Sequence, residues 1–397
     1  MNRIILLINA VALFFIIQFA NAQSIKDSIE INVNPYASFR GNLTAYKNEI
    51  ELQDNVSRLG INGSIKKGKI SFLAAAEVHL NLFQGQGTFN VDNNRNADFL
   101  EIQTIDNQQT ITNRLGYIGI DMEKYGTFTF GKQWSVYYDV SSYTNQFTVF
   151  GGRASATYIG GTDGGENGTG RVNQAAIYRN KFGPFYLGAQ VQLLGFNNNK
   201  FVDGYGFSGQ LDITKELTLG AAYNKALVSD SLISSGKILG LHGQPSYFTT
   251  AIRYQDNKFT LSILGAIEKN GDFAQGSYRS LTQTMQTPTV VFNAKGLEIF
   301  SNYTFHKFSI HAGYNLYVPD TKVIVDENGQ APISHNFKIN DIIFGANYIP
   351  FNFIEIYAEQ RLSYGRSATD IKDPSVFALG MIIDFSKTFK KTISTKN

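Results

Sequence analysis

The residues most often used for metal binding and covalent catalysis are sparse in this chain and poorly spaced for either task. There is no cysteine, and the five histidines are scattered along the sequence, at His79, His242, His306, His311 and His335. Zinc sites and serine-based triads need histidines at characteristic spacings, or beside a serine and a carboxylate. Because no such arrangement is present, the sequence predicts no metal, no cofactor and no enzymatic activity.

A glycine-rich run, GGTDGG at positions 160–165, is the nearest approach to a phosphate-binding loop. Such loops hold phosphate when a helix starts directly after them. The pattern predicts no helix here, so we interpret the run as a flexible part of a long connection. The formal net charge of +3 also gives no reason to expect a nucleic-acid partner.

The N-terminus has the three-part plan of a secretory signal. Arg3 is followed by an apolar run over residues 4–19 and then by a small-x-small site ending at Ala22. This order predicts a signal peptide over residues 1–22, cleaved near Ala22, and hence export from the cytoplasm. An uncleaved membrane anchor would look similar, but polar residues interrupt the apolar run.

Alternation with a period of two dominates the rest of the chain. In the third candidate strand, Phe72, Ala74 and Ala76 fall on one face, whereas Glu77 and His79 fall on the other. A barrel strand in a membrane alternates in this way because it shows one side chain to lipid and the next to the lumen. No later apolar stretch reaches the length of about 18 residues that a membrane-spanning helix needs.

About sixteen such segments follow one another without a linker. They predict an all-β fold, a transmembrane antiparallel β-barrel formed by one domain. A soluble β-sandwich would also alternate, but it has no need for so many evenly spaced strands after a signal peptide. The segments are 31–45, 58–65, 70–82, 113–121, 125–132, 171–179, 185–193, 205–213, 217–224, 247–254, 258–268, 295–303, 307–315, 341–348, 353–361 and 375–385.

The connection over about residues 133–170 is unusually long and is rich in glycine, threonine, serine and tyrosine. Connections of this length inside a compact domain are normally functional. We therefore expect the functional part of the barrel to lie there.

Several short motifs around this connection resemble the general trimeric porins of Gram-negative bacteria. They are the RLG strand starts at Arg58 and Arg114, the YDVSSYT segment from Tyr138, the FGG turn from Phe150, the GRV strand start around Arg171 and the last strand ending in Phe385. The resemblance implies an outer-membrane barrel of about sixteen strands, surrounded by lipid, with a long third loop folded into the lumen. It also implies a homotrimer, and a water-filled channel for passive diffusion of ions and small hydrophilic solutes.

In that family a row of arginines on the barrel wall faces the inward loop, and the resemblance places Arg58, Arg114 and Arg171 in this row. Alternation supports an inward side chain for Arg58 and Arg171. It supports Arg114 less well, because Ile118 and Ile120 fall on the same side of their strand.

Arg40 also falls on the inward face of its strand, although the family's basic position there corresponds to Ser38. A charged side chain on the lipid face at mid-bilayer costs roughly 2–4 kcal/mol, which favours the lumen for all of these arginines. The alternative is that they sit at strand ends and extend to the headgroup boundary.

The loop departs from the family in its charge. Acidic groups are common at the narrowing of those porins, whereas the matching positions here are not acidic, and the family's PEFGG turn reads TVFGG. An excess of positive charge at the narrowing predicts an anion-favouring channel. The loop residues predicted to form the constriction are Asn145, Val149, Phe150, Gly151, Gly152 and Arg153.

Two questions stay open at this stage. The acids of the same loop, Asp139, Asp163 and Glu166, would supply the missing negative charge if the loop folds so that they face the pore. The pattern also fits a substrate-specific channel for sugars or phosphate, or, with less support, an adhesive or structural barrel.

The resemblance divides the chain into the signal peptide, a porin barrel over residues 23–385 and a basic tail over residues 386–397. Family members usually stop at a phenylalanine such as Phe385, whereas here a lysine-rich segment follows. We expect this tail to be short and disordered on the periplasmic side, with a binding arm as the alternative.

Overall fold

The computed structural model describes residues 28–83, 89–90, 101–102, 110–195, 201–279, 284–321 and 333–394. The predicted signal peptide therefore lies outside the described residues. Within them, sixteen antiparallel strands form the wall of one barrel, and two of these strands are interrupted. The strands are β1 (Ser28–Tyr46), β2 (Glu49–Asp54 and Arg58–Lys67), β3 (Ile70–Leu80), β4 (Ile111–Asp121), β5 (Thr127–Trp134), β6 (Arg171–Phe182), β7 (Phe185–Gln192), β8 (Gly204–Asp212), β9 (Leu217–Ala226), β10 (Ser246–Gln255), β11 (Phe259–Arg279), β12 (Thr284–Phe305), β13 (Phe308–Pro319), β14 (Ile339–Phe351), β15 (Ile354–Ser363) and β16 (Val376–Ser386 and Phe389–Ser394).

Each strand pairs with its neighbours in the sequence, and the first strand closes the sheet against the last. Tyr36 pairs with Ser386 and Tyr46 with Val376, so β1 and β16 run antiparallel over eleven registered positions. Closure removes the open edges that a sheet of this size would otherwise present. The prediction of an all-β, sixteen-stranded antiparallel barrel is confirmed.

Alternation along each strand sorts the side chains between two environments. On β3, Phe72 is 51% exposed on the outer face, whereas Glu77 and His79 are buried on the inner face. The outer face carries exposed leucine, isoleucine and phenylalanine side chains on strands all round the barrel. In a bilayer this surface contacts hydrocarbon, and the polar inner surface borders a water-filled space.

The expected disorder of the C-terminal tail is wrong for Phe389–Ser394. This segment pairs with Ser28–Val33, so the tail extends the last strand after a short interruption. The physical reason is that β1 begins at Ser28, earlier than the alternation indicates. Without the tail, the first residues of β1 would expose unpaired backbone N–H and C=O groups on the side that faces β16. The division of the chain at Phe385 stays a prediction.

Short turns alternate with longer connections around the barrel. The turns 68–69, 183–184, 306–307 and 352–353 hold only two residues each and lie on the same side. Loop 3, residues 135–170, lies on the opposite side and contains a short helix α1 (Tyr138–Ser141) and a 3-10 turn (Ile159–Gly161).

The remaining described elements are small and lie in other connections. Helix α2 (Asp230–Gly236) and the 3-10 turn Lys237–Leu239 join β9 to β10, and another 3-10 turn, Glu123–Tyr125, joins β4 to β5. A two-residue ribbon pairs Phe89–Asn90 with Glu101–Ile102 between β3 and β4. No helix in the described part of the chain is long and apolar enough to cross a membrane.

Candidate functional site

Loop 3 folds into the barrel and packs against the opposite wall. Val140 of α1 is fully buried and clusters with Ala222 on β9 and Leu264 on β11. Further along, a Cβ atom placed on Gly296 of β12 would lie 1.7 Å from the carbonyl oxygen of Ala154. The wall therefore needs a glycine there to let the loop backbone approach, and the predicted inward loop is confirmed.

Glu359 of β15 anchors the middle of loop 3. Its carboxylate accepts backbone N–H groups from Thr148 at 2.5 Å and from Val149 and Phe150 at 2.9 Å each. The His311 imidazole lies 3.1 Å from the same carboxylate. Three amide donors on one buried acceptor fix the loop more firmly than neutral hydrogen bonds would, because charge-assisted bonds are about twice as strong.

Glu298 of β12 anchors the next turn of the loop. It accepts a hydrogen bond from the Thr144 hydroxyl and another, at 2.7 Å, from the backbone N–H of Ala154. The wall acids thus satisfy loop amides that would otherwise be buried without partners.

Arg153 of loop 3 reaches the same wall as a buried ion pair. Its guanidinium donates to Asp341 of β14 and, at 3.1 Å, to Asp373 in the connection between β15 and β16. Burial opposes the charge of Arg153, but the two carboxylates outweigh it and raise the pKa of the guanidinium above its usual range. Arg153 is therefore charged but neutralised by its neighbours.

The arginines of the facing wall lie together on β1, β2 and β4. Arg58 is close enough to Arg40 and Arg114 for the three charges to interact, with Glu77 and Asp384 among them. Arg114 forms a buried ion pair with Glu77, with Nε 2.7 Å from Oε1. Arg58 and Arg40 form no ion pair within 4.0 Å with a residue that the structure describes.

A β-bulge explains the conflict in alternation at Arg114. Glu77 pairs with Leu115 and Val78 with Asn113, so Arg114 is the additional residue on β4. A bulge reverses which side chains face inward on either side of it. Arg114 is accordingly buried at 4% exposure, whereas Ile118 on the same sequence parity is 65% exposed on the outer face.

The loop touches this wall as well. The Asn55 side chain, in the interruption of β2 next to Arg58, donates to the Thr148 carbonyl at 3.1 Å. Tyr138 of α1 interacts electrostatically with Arg171 and Arg114, and burial raises the pKa of its phenol. Loop 3 therefore spans the lumen from the arginine wall to the acidic wall.

Arg171 is separated from the other arginines and belongs to the base of the loop. Its guanidinium lies 5.7 Å from the Trp134 ring centroid, and its Nε is 3.6 Å from Asp163. Burial opposes ionisation of Asp163, but Arg171 and Lys132 outweigh it and hold the pKa of that carboxyl below its usual range.

The acids of the loop itself do not provide an uncompensated negative charge in the lumen. Asp139 is held by Arg179 of β6, with Nη2 2.9 Å from Oδ1, and burial raises the pKa of Asp139 despite this partner. Glu166 is exposed at the far end of the loop. The two half-buried acids of the loop, Asp139 and Asp163, are thus paired with bases on their own side of the barrel.

The predicted constriction residues of the loop occupy different environments. Val149 and Phe150, at 1% and 0% exposure, pack into an apolar cluster with Ile343 and Tyr357 on the acidic wall. Asn145 donates to the Tyr158 hydroxyl at 2.9 Å within the loop. Gly151 and Gly152 form the buried turn between Phe150 and Arg153, and Gly152 adopts a φ of 63°, which favours glycine.

Sequence reasoning missed the carboxylates that hold the loop, Glu298, Asp341 and Glu359, together with Asp272. A signal was present, because each of the first three lies at an inward position of an alternating strand. The partners of Glu298 and Glu359 include backbone amides of the loop, and no sequence pattern marks an amide as a partner. In the sequence these acids therefore look like isolated charges. The described residues contain no group of three or more histidines, aspartates or glutamates arranged for a metal.

A closed barrel whose third connection crosses a polar interior defines a class, the loop-narrowed outer-membrane β-barrels. The chain belongs to the Gram-negative porin family, whose family model matches residues 10–323. The resemblance seen in the motifs is thereby confirmed. Porins are channel proteins and not enzymes, which agrees with the prediction that the chain is not an enzyme.

Individual relatives are distant. Outer membrane protein F of Serratia marcescens is 28% identical over 233 residues, which cover 56% of this chain and 58% of that protein. The chain therefore matches less than two thirds of that relative's length. Salmonella typhi OmpF in complex with daunomycin superimposes with a TM-score of 0.64 at 16% identity, covering 89% of this chain and 97% of that chain.

A second solved structure, in-vitro folded OmpT of Vibrio cholerae in a trimer form, gives a TM-score of 0.60 at 14% identity. It covers 89% of this chain and 99% of that chain. At such identities both superpositions establish the fold.

Proposed function

We propose that the protein is an outer-membrane channel for passive diffusion of ions and small hydrophilic solutes, exported by a signal peptide cleaved near Ala22. The observation that supports this most is loop 3, held across a polar lumen between an arginine wall and an acidic wall. Sixteen strands enclose a space wide enough for water, so a loop inside it sets the size limit. Diffusion through such a space needs no covalent chemistry, because polar side chains replace part of the solute's hydration.

We propose that Arg40, Arg58 and Arg114 line the narrow zone and favour anions. Arg114 is balanced by Glu77, so the anion preference rests mainly on Arg58 and Arg40. The predicted placement of Arg171 and Arg153 in the same zone has less support, because carboxylates lie close to both. Asp384 near Arg58 reduces the field without cancelling it.

We propose that three copies associate through the outer face of β1–β5. A shallow apolar groove of about 600 Å³ lies there, floored by small residues and flanked by larger ones. The small residues allow a second barrel to approach closely, and the trimer form of the Vibrio cholerae structure of similar fold supports this number of copies. Residues of the groove include Gly63, Ala74, Ala76, Gly116, Ile61 and Ile118.

Conductance of the refolded protein in a planar bilayer tests the function. We expect large steps in groups of three and, across a salt gradient, a reversal potential on the anion side. Osmotic swelling of proteoliposomes should show uptake that falls with solute size and does not saturate. Folded protein that does not conduct would overturn the channel proposal. Saturable uptake of one solute would replace it with a substrate-specific channel.

A further inference from the structure

A second site lies beyond the narrow zone, in a cavity between loop 3, β11 and the connections that follow β13 and β15. Its volume is about 290 Å³, near the lower end for small-molecule sites. Phe273, Tyr317 and Phe337 provide apolar ring surface. The carboxylates of the lining are Glu268, Asp272 and Asp373. The cavity therefore combines ring faces with carboxylates.

Glu268 of β11 is the unusual residue of this cavity. It is 1% exposed, and neither carboxylate oxygen has a hydrogen-bond partner among the described residues. Its neighbour Asp272 is satisfied, accepting from the Gly160 backbone N–H at 2.8 Å and from the Tyr317 hydroxyl. An ionised carboxylate buried without partners is costly, so Glu268 either holds a proton or accepts from a donor outside the described residues.

The charge of the pair points to a cation. Two neighbouring buried carboxylates cannot both be ionised without a positive partner. The basic residues of the cavity wall do not provide it. Arg153 pairs with Asp341 and Asp373, and Arg366 pairs with Asp370. Lys338, the remaining base of the lining, is exposed and forms no ion pair with a residue that the structure describes.

An organic cation fits this lining better than a metal ion. An ammonium group donates several hydrogen bonds at once to carboxylate oxygens. The aromatic rings of the cavity suit a hydrocarbon portion and also attract positive charge at their faces. Asp373, the third carboxylate of the lining, is held by Arg153, and the described residues contain no group of three histidines or acids arranged for a metal.

We propose that this cavity binds the ammonium group of a small organic solute, with Glu268 as its main acceptor and the solute's apolar part against the aromatic rings. The site deepens the proposed channel function by naming a solute class. The proposed site depends on the channel function only because the solute would reach the cavity through the channel.

Calorimetric titration of the refolded protein in detergent, at neutral pH, tests the site without a bilayer. We expect phenethylamine to bind and 2-phenylethanol, which has a hydroxyl in place of the ammonium group, to bind at least about tenfold more weakly. This comparison uses the unmodified chain and does not depend on how any variant folds.

Glu268→Gln should reduce phenethylamine affinity about tenfold or more, since the amide keeps the shape and removes the charge. Glu216→Gln, the same change in a turn far from the cavity, should leave the affinity unchanged. Equal binding of amine and alcohol, no binding of the amine at millimolar concentration, or unchanged affinity in folded Glu268→Gln would each overturn the site. Conductance without amine binding would remove this site alone, whereas amine binding without conductance would remove the channel proposal alone.

Discussion

Glu359→Gln should loosen loop 3 and enlarge the pore. The amide keeps the size of the side chain and one acceptor oxygen, but it carries no charge and replaces the other oxygen by an NH2 group. It therefore cannot accept from Thr148, Val149 and Phe150 together. Losing charge-assisted bonds to buried amides costs on the order of 3 kcal/mol. We expect a lower unfolding temperature, a larger single-channel conductance and frequent current fluctuations.

Glu123→Gln is the matched control for this prediction. Glu123 forms an exposed ion pair with Lys66 at 3.1 Å in a turn on the far side of the barrel. Exposed pairs contribute little to stability, so conductance and unfolding temperature should stay at the values of the unmodified protein. If Glu359→Gln left both quantities unchanged as well, the carboxylate would not hold the loop.

Neutralising Arg40 and Arg58 together should move ion selectivity towards cations. Neither side chain has a carboxylate within ion-pair distance among the described residues, so nearby acids such as Asp384 weaken their field on the lumen without cancelling it. Removing one charge close to the ion path changes the energy of a passing ion by on the order of 1 kcal/mol. The anion-to-cation permeability ratio of Arg40→Gln/Arg58→Gln, measured from the reversal potential across a salt gradient, should therefore fall several-fold.

Lys215→Gln is the control for this prediction. It removes one positive charge from the exposed turn between β8 and β9, and so tests whether net charge alone changes ion selectivity. It should leave the reversal potential in place. A double arginine variant that behaves like this control would show that the arginine cluster does not lie along the ion path. Adding Arg114→Gln should increase the shift further, because the arginine that balances the charge of Glu77 would then be absent.

The barrel can be predicted from the sequence because a membrane imposes a strict rule on every strand. Lipid on one side and water on the other force alternation, and all sixteen predicted segments coincide with strands. The ends are less predictable. Two strands, Phe259–Arg279 and Thr284–Phe305, extend well beyond the predicted segments 258–268 and 295–303. The extensions form a hairpin outside the bilayer, where no side of a strand faces lipid and alternation is not required.

The site can be predicted only in part. Arg58 has a clear inward parity, and the inward loop follows from its length and motifs. The direction of the Arg114 side chain is ambiguous from the sequence, because alternation is counted along a single strand. The bulge that turns this side chain inward arises from the pairing of β4 with β3. The anchoring role of Glu298 and Glu359 depends on backbone amides more than a hundred residues away, which no local pattern encodes.

Arg58→Cys offers the most direct test that the lumen is the conducting path and that this arginine wall borders it. The chain has no cysteine of its own, so a single introduced thiol is the only one present. Adding a bulky, water-soluble thiol reagent during single-channel recording should reduce the current in discrete steps. Leu219→Cys, whose side chain lies on the lipid-facing side of β9, should show no change. Unchanged current through labelled Arg58→Cys, or an equal reduction in Leu219→Cys, would contradict the account.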